Sequence, residues 1–147
     1  MIPKFRAWDK DKKWMVYDVQ DAYDGLWSER NSDEINDYYG YVSTFQSFTD
    51  GENFNFMQYT GLKDKDGVDI FEGDIVKRTY LFNGGHGETH TGEVVYDKEY
   101  ARYVISRPQK HIEPKTEDLR NTLSDKSTYE VIGNIYKNPE LLKEQNK

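Results

Sequence analysis

Apolar and polar positions alternate from the start of the chain. Phe5 and Ala7, then Trp14 and Val16 beyond a polar break, are each flanked by polar residues. A period of two over a short run marks a strand with one face buried, so this segment predicts a β-hairpin. Its turn is Asp9-Lys10-Asp11-Lys12-Lys13, where aspartate favours a turn by bonding to nearby backbone. A second hairpin is expected over residues 41–60, with Tyr41 to Phe48 as one arm, Asp50-Gly51 as the turn and Phe54 to Tyr59 as the other arm. Residues 18–40 are acidic, polar and broken by Gly25 and Gly40, and read mostly as loop. Ile35, Tyr38, Tyr39 and Val42 also fit helical spacing, against which Gly40 and the β-branched Val42 weigh.

The second half is punctuated by glycine. Asp66-Gly67 and Glu72-Gly73-Asp74 mark turns, and Asn83-Gly84-Gly85-His86-Gly87 reads as a flexible tip. Strands are expected over 74–82, 91–96, 100–106 and 129–136, with Asp97-Lys98-Glu99 as a connection. Residues 108–128 read as a polar insertion, in which Thr116 would cap a short helix carrying Leu119 and Leu123 on one face. Asn138 and Pro139 have the character of a helix start, with Leu141 and Leu142 able to dock the first turn. About five short strands must curl to shield their edges, and Gly92 would permit a sharp bend at a barrel corner. The expected architecture is mainly β. N-terminal hairpins with an acidic loop (1–69) pack on a small SH3-like barrel with a polar insertion and a short C-terminal helix (70–147).

Composition supports that reading. Twelve Tyr, seven Phe and three Trp must build much of the core, and aromatic side chains suit pleated, half-buried surfaces. The absence of cysteine excludes disulfides, thiolate metal sites and cysteine nucleophiles. No apolar run is long enough for a signal peptide or a membrane span, so the cytoplasm is the expected compartment. The net charge of −7 argues against non-specific nucleic-acid binding. Residues 18–37 concentrate seven acids against Arg30, best read as a solvated acidic loop.

Three segments resemble the YopX-like family of phage and prophage proteins. The opening Lys4-Phe5-Arg6-Ala7-Trp8-Asp9 with Lys13, Trp14 and Met15 is similar to its start. The middle segment Met57 to Asp64, then Gly67, Ile70 and Glu72-Gly73-Asp74-Ile75-Val76, is similar to its hallmark. The close from Tyr129 to Leu142 is similar to its C-terminal signature. The resemblance implies a phage or prophage origin and a largely β, SH3-like protein; it implies no established activity and no catalytic or ligand residues. The matching residues are mostly glycines, turn acids and strand apolars, which physical chemistry assigns to structure.

Several patterns carry candidate chemistry. His86 and His90 are four apart, with Glu88 between them and His111 beyond, but the glycines around them suit a mobile tip better than a metal site. Asp64, Asp66 and Asp69 lack the glycine and glutamate spacing of a calcium loop. Gly84-Gly85-His86-Gly87 precedes a strand, not the helix a phosphate cradle needs. The carboxylate pairs Glu72/Asp74 and Asp97/Glu99 sit at turns, where solvation keeps acidity ordinary. No catalytic, cofactor or metal residue is therefore assigned. Lys77, Arg78, Tyr80 and Phe82, with Tyr96, Lys98, Tyr100, Arg102, Tyr103 and Arg107, interleave cations and rings as a single-stranded nucleic-acid surface does. Ordinary sheet patterning explains the same spacing, and the local excess of positive charge is small. The expected function is a non-catalytic module that binds a protein partner or itself, with single-stranded nucleic-acid binding as the alternative.

Overall fold

The computed structural model describes residues 3–24, 28–40, 44–81, 87–109, 112–118 and 127–143. The fold is mainly β, with two antiparallel sheets, one of them a curled half-barrel, and a short C-terminal helix. It divides into two compact units, Met1–Tyr59 and Thr60–Lys147.

In the first unit, β1 (Phe5–Asp9) and β2 (Trp14–Tyr17) form the expected hairpin. The other side of β1 pairs with β3 (Phe54–Lys63), Ala7 opposite Phe56 and Asp9 opposite Phe54. The expected second hairpin does not form. Its first arm contributes α2 (Phe45–Phe48) instead, started by a Thr44/Ser47 capping box, and residues 41–43 lie outside those described. In the acidic stretch, Val19–Asp24 makes a 3₁₀ turn and the helical alternative is realised as α1 (Asp33–Tyr39). Ser32 Oγ accepts from Ile35 N at 3.2 Å, Asp33 and Glu34 occupy the first turn, and Gly40 closes the helix. Val42 never enters it.

The core of this unit is aromatic, as composition implied. Val16, Val19, Ile35, Tyr39 and Phe48 are buried, with Phe5, Trp14, Phe45, Phe54 and Phe56 packed around them. The Tyr39 hydroxyl donates to Asp9 Oδ2 at 2.5 Å and accepts from Trp14 Nε1 at 2.8 Å. Asp9 Oδ1 takes the backbone N–H groups of Asp11 and Lys12, both at 2.9 Å. One buried carboxylate thus closes the first turn and anchors α1. Burial, reinforced by the bond to Asp9, pushes the Tyr39 phenol well above its ordinary value. A raised native value means stability that is complete below the unfolded tyrosine value of about 10 and is lost as pH rises through the native one. Tyr39→Phe should cost about 2 kcal/mol at neutral pH, since two partners lose a buried bond, and should abolish this tyrosine's share of the alkaline loss. Urea unfolding between pH 7 and 11 measures both effects.

In the second unit, the end of β3 lies beside β4 (Asp69–Phe71), and Thr60 Oγ1 donates to Ile70 O at 2.7 Å. The half-barrel has strand order β8-β7-β6-β5-β9. Its strands are β5 (Asp74–Leu81), β6 (Gly87–Asp97), β7 (Arg102–Gln109), β8 (Ile112–Asp118) and β9 (Ser127–Asn134). Thr116, expected to cap a helix, instead sits in β8 opposite Ser106; edge pairing with β7 overrides the local capping signal, and residues 119–126 lie outside those described. Cross-strand partners share a face, so the ladders place Val76, Val94, Ile105 and Tyr129 on one side, where they form the core with Ile70. After β9, Asn134 Oδ1 accepts from Tyr136 N and Lys137 N, and α3 (Glu140–Lys143) follows the Asn138-Pro139 start.

Candidate functional site

Two places on the half-barrel gather side chains able to bind something. The first is on the core-facing side of β5, β6, β7 and β9. Arg78 stands opposite His90 on one side and Tyr129 on the other. It is only 6% exposed, with its guanidinium 5.3 Å from the Tyr129 ring centre. Arg107, on the same face of β7, hydrogen-bonds through Nη1 to His90 Nδ1. The contact makes this ring nitrogen the acceptor, because a guanidinium only donates.

The second place is the turn joining β6 and β7. Tyr96 and Tyr103 are cross-strand partners in edge contact, with ring centres 5.2 Å apart. Tyr100, in the turn, is 65% exposed, and the Arg102 guanidinium lies 5.1 Å from its ring centre. Arg102 Nε is also 3.6 Å from Asp97 Oδ2, and Asp97 Oδ1 accepts from Glu99 N at 3.0 Å. Ala101 closes the turn with a left-handed backbone, φ 52°, strained for a residue with a Cβ. Beside it lies a cleft of about 220 Å³ lined by Thr60, Leu62, Ala101, Arg102 and Tyr103. Burial and then the charge of Glu72 push the Tyr103 phenol up. Glu93, on the opposite face of β6, is raised by the same two causes in the same order.

The interleaved cations and rings therefore do not form one surface. Arg78 and Arg107 belong to the inner cluster; Tyr96, Lys98, Tyr100 and Arg102 belong to the β6–β7 end. Lys77 points to the other face, opposite Thr91 and Glu130, and is exposed. Tyr80 is placed opposite Glu88 and Ser127 by its backbone; its side chain, like Phe82, lies outside the described residues. Of the histidines, His86 and His111 also fall outside them, while His90 meets Arg107. Among the described residues no three metal-ligating side chains converge.

The turn acids are occupied by the fold. Asp64 accepts from Asp66 N and Val68 N through Oδ1 and from Val131 N through Oδ2. Asp69 pairs with Lys63 at 2.6 Å, and buried Asp74 accepts from Phe71 N at 2.8 Å. Sequence reasoning missed the cleft and the role of Leu62 and Thr60 in it. Their approach to Tyr103 crosses some forty residues of chain, and no local pattern records it.

No curated protein matches the chain. A crystal structure of protein EF1440 from Enterococcus faecalis is similar at 30% identity and a TM-score of 0.53, with 97% of this chain and 99% of that chain covered. The family described as YopX protein matches residues 4–143, all three signature segments included. With nearly its whole length accounted for in that match, the chain belongs to the YopX family.

Proposed function

We propose that this protein is a non-catalytic binding module that docks a protein partner through the tyrosine cluster at the β6–β7 turn. The observation that supports it is the exposure of Tyr96 and Tyr100, 43% and 65%, beside a cleft whose wall is Tyr103. Tyrosine and arginine are the residue types that concentrate binding energy at protein interfaces. The motif acids Asp64 and Asp74, by contrast, accept backbone N–H groups within the fold. The family resemblance supports a phage or prophage setting, the cytoplasm of a bacterial cell and an SH3-like relationship for the half-barrel. The test is affinity capture with the wild type and with Tyr96→Ala/Tyr100→Ala in parallel. Proteins held by the first and lost by the second are expected; identical captured sets overturn the reading. Light scattering on both forms checks whether the partner is a second copy of the chain.

A second reading, single-stranded nucleic-acid binding, is supported by the accessible cations Lys98, Arg102 and Arg107 with the exposed rings of Tyr96 and Tyr100; Arg78 and Tyr129 are buried and could not take part directly. Fluorescence anisotropy with a labelled oligonucleotide should then show affinity that falls as salt rises and weakens in Arg107→Gln. Binding without salt dependence, or none at low salt, removes this reading.

A further inference from the structure

We infer that the cleft at the β6–β7 turn takes an acidic segment of the protein partner, seating a carboxylate side chain on Arg102 and the apolar residue beside it against Leu62, Tyr103 and the Ala101 methyl group. The inference rests on the docking role proposed above and adds the chemistry of the partner.

Size comes first. A cleft of about 220 Å³ falls below the usual range of small-molecule sites, roughly 300–1,000 Å³. It suits one or two side chains of a segment laid across the surface. The lining then sorts those side chains. Leu62, Tyr103 and Ala101 offer apolar contact. The Thr60 hydroxyl is committed within the fold, donating to Ile70 O at 2.7 Å and accepting from Leu62 N at 3.2 Å. Among the described residues, Arg102 is the lining side chain that carries a charge.

The placement of the turn's charges matters more than their sum. Asp97, Lys98, Glu99 and Arg102 cancel, but of the four it is Arg102 that lines the cleft. Its guanidinium lies over the Tyr100 ring, 5.1 Å from the ring centre. Contact of this kind uses the face of the group, whereas its N–H donors lie in its plane. An Asp97 oxygen is 3.6 Å from Nε, longer than a hydrogen bond, and the other Asp97 oxygen accepts from Glu99 N. A carboxylate arriving in the cleft at about 2.8 Å, in the two-pronged geometry a guanidinium favours, displaces that weaker contact. The chain's net charge of −7 opposes this at long range, but physiological salt screens the repulsion beyond about 8 Å. A nucleic-acid strand brings a phosphate at every nucleotide and meets the same repulsion along its length, so a short acidic peptide segment is the better occupant. Ala101 supplies a second observation. Its left-handed backbone, φ 52°, is one that glycine adopts without steric cost, and it forms part of the cleft wall. Glycine there would relieve the strain but remove the methyl group, and strain kept at such a place marks a binding role.

The experiment uses the full chain and two labelled decapeptides with blocked ends, one carrying Glu-Leu-Glu in a glycine–serine background and one carrying Gln-Leu-Gln. The acidic peptide should bind about tenfold more tightly than its neutral counterpart. Arg102→Gln should weaken the acidic peptide about tenfold and leave the neutral one unchanged. Arg102→Lys should recover only part of the loss, since an ammonium cannot offer the paired donors. Ala101→Gly should raise the urea midpoint yet weaken binding about threefold. Circular dichroism checks that the variants fold. No binding of the acidic peptide, equal binding of both peptides, indifference to Arg102→Gln, or full binding by Ala101→Gly overturns the inference. So does an oligonucleotide of matching charge that binds through Arg102 more tightly than the peptide, a result that favours the nucleic-acid reading. If the acidic peptide fails while partner capture still depends on Tyr96 and Tyr100, the docking role stands and only the acidic chemistry is wrong. If capture ignores the tyrosines, the docking role itself falls.

Discussion

Asp64→Ala is expected to lower folding stability by about 3 kcal/mol in urea unfolding. The side chain is 8% exposed and serves three donors. Two, Asp66 N and Val68 N at 2.9 Å, hold the turn before β4; the third, Val131 N at 3.0 Å, lies 67 residues away on β9. Alanine leaves those N–H groups without this acceptor, and each buried donor so stranded costs roughly 1–3 kcal/mol unless water reaches it. Asp64→Asn keeps one carbonyl oxygen and should fall between the two. The acid limb separates charge from shape. Burial works to raise the Asp64 carboxyl, but its three N–H donors outweigh burial and hold it below the ordinary value. A depressed native value gives stability that is present above the unfolded aspartate value of about 3.9 and is lost as pH falls through the lower native one. This acid-dependent share should vanish in Asp64→Asn. An Asp64→Ala protein as stable as wild type would show that the β9 contact is incidental.

Gly92→Ala is expected to cost about 3 kcal/mol, the upper part of the range for overpacking a filled core. A Cβ there would stand 2.5 Å from Ile105 Cγ2 and 2.8 Å from Ser106 O. Ile105 is buried in the core and Ser106 O is backbone, so neither yields cheaply. The strands must separate, and the separation falls between the Val94–Ile105 pair and the His90–Arg107 contact. Gly51→Ala is the internal control. Nothing lies within 4 Å of its Cβ position, so its change should stay within about 0.5 kcal/mol. Chemical denaturation of the two variants side by side decides the matter; equal stabilities would show that β6 and β7 are not in close approach at Gly92.

Much of the fold was legible because its signals are local. The β1–β2 hairpin and the β5 to β7 strands each follow from alternation or turn residues within a few residues; the C-terminal helix was placed to within a residue or two, though it starts at Glu140 and the Asn138 side chain accepts from Asn134 N. Errors arose where local signals competed. Tyr41 to Phe48 alternates like a strand, yet Thr44 and Ser47 cap a helix there and Phe48 turns into the core. Thr116 is a good cap by type, but β7 offered its backbone a ladder partner instead. In the candidate site, the aromatic and basic composition of the β6–β7 hairpin was visible, whereas its grouping was not. Alternation assigns faces only once the register is known, and a shift of one residue reverses them.

What the amino-acid sequence determined by itself is the material and the punctuation: an aromatic core, strands set off by glycine and aspartate, and three signature segments that place the chain in its family. The tertiary structure alone decided that β3 pairs with β1, that Asp64 reaches Val131, and that Leu62 and Thr60 meet Tyr103 to make a cleft. The physical reason is range. Turn and capping energies act between neighbours in the chain, whereas a cleft is defined by distant segments whose approach is set by the packing of the whole unit.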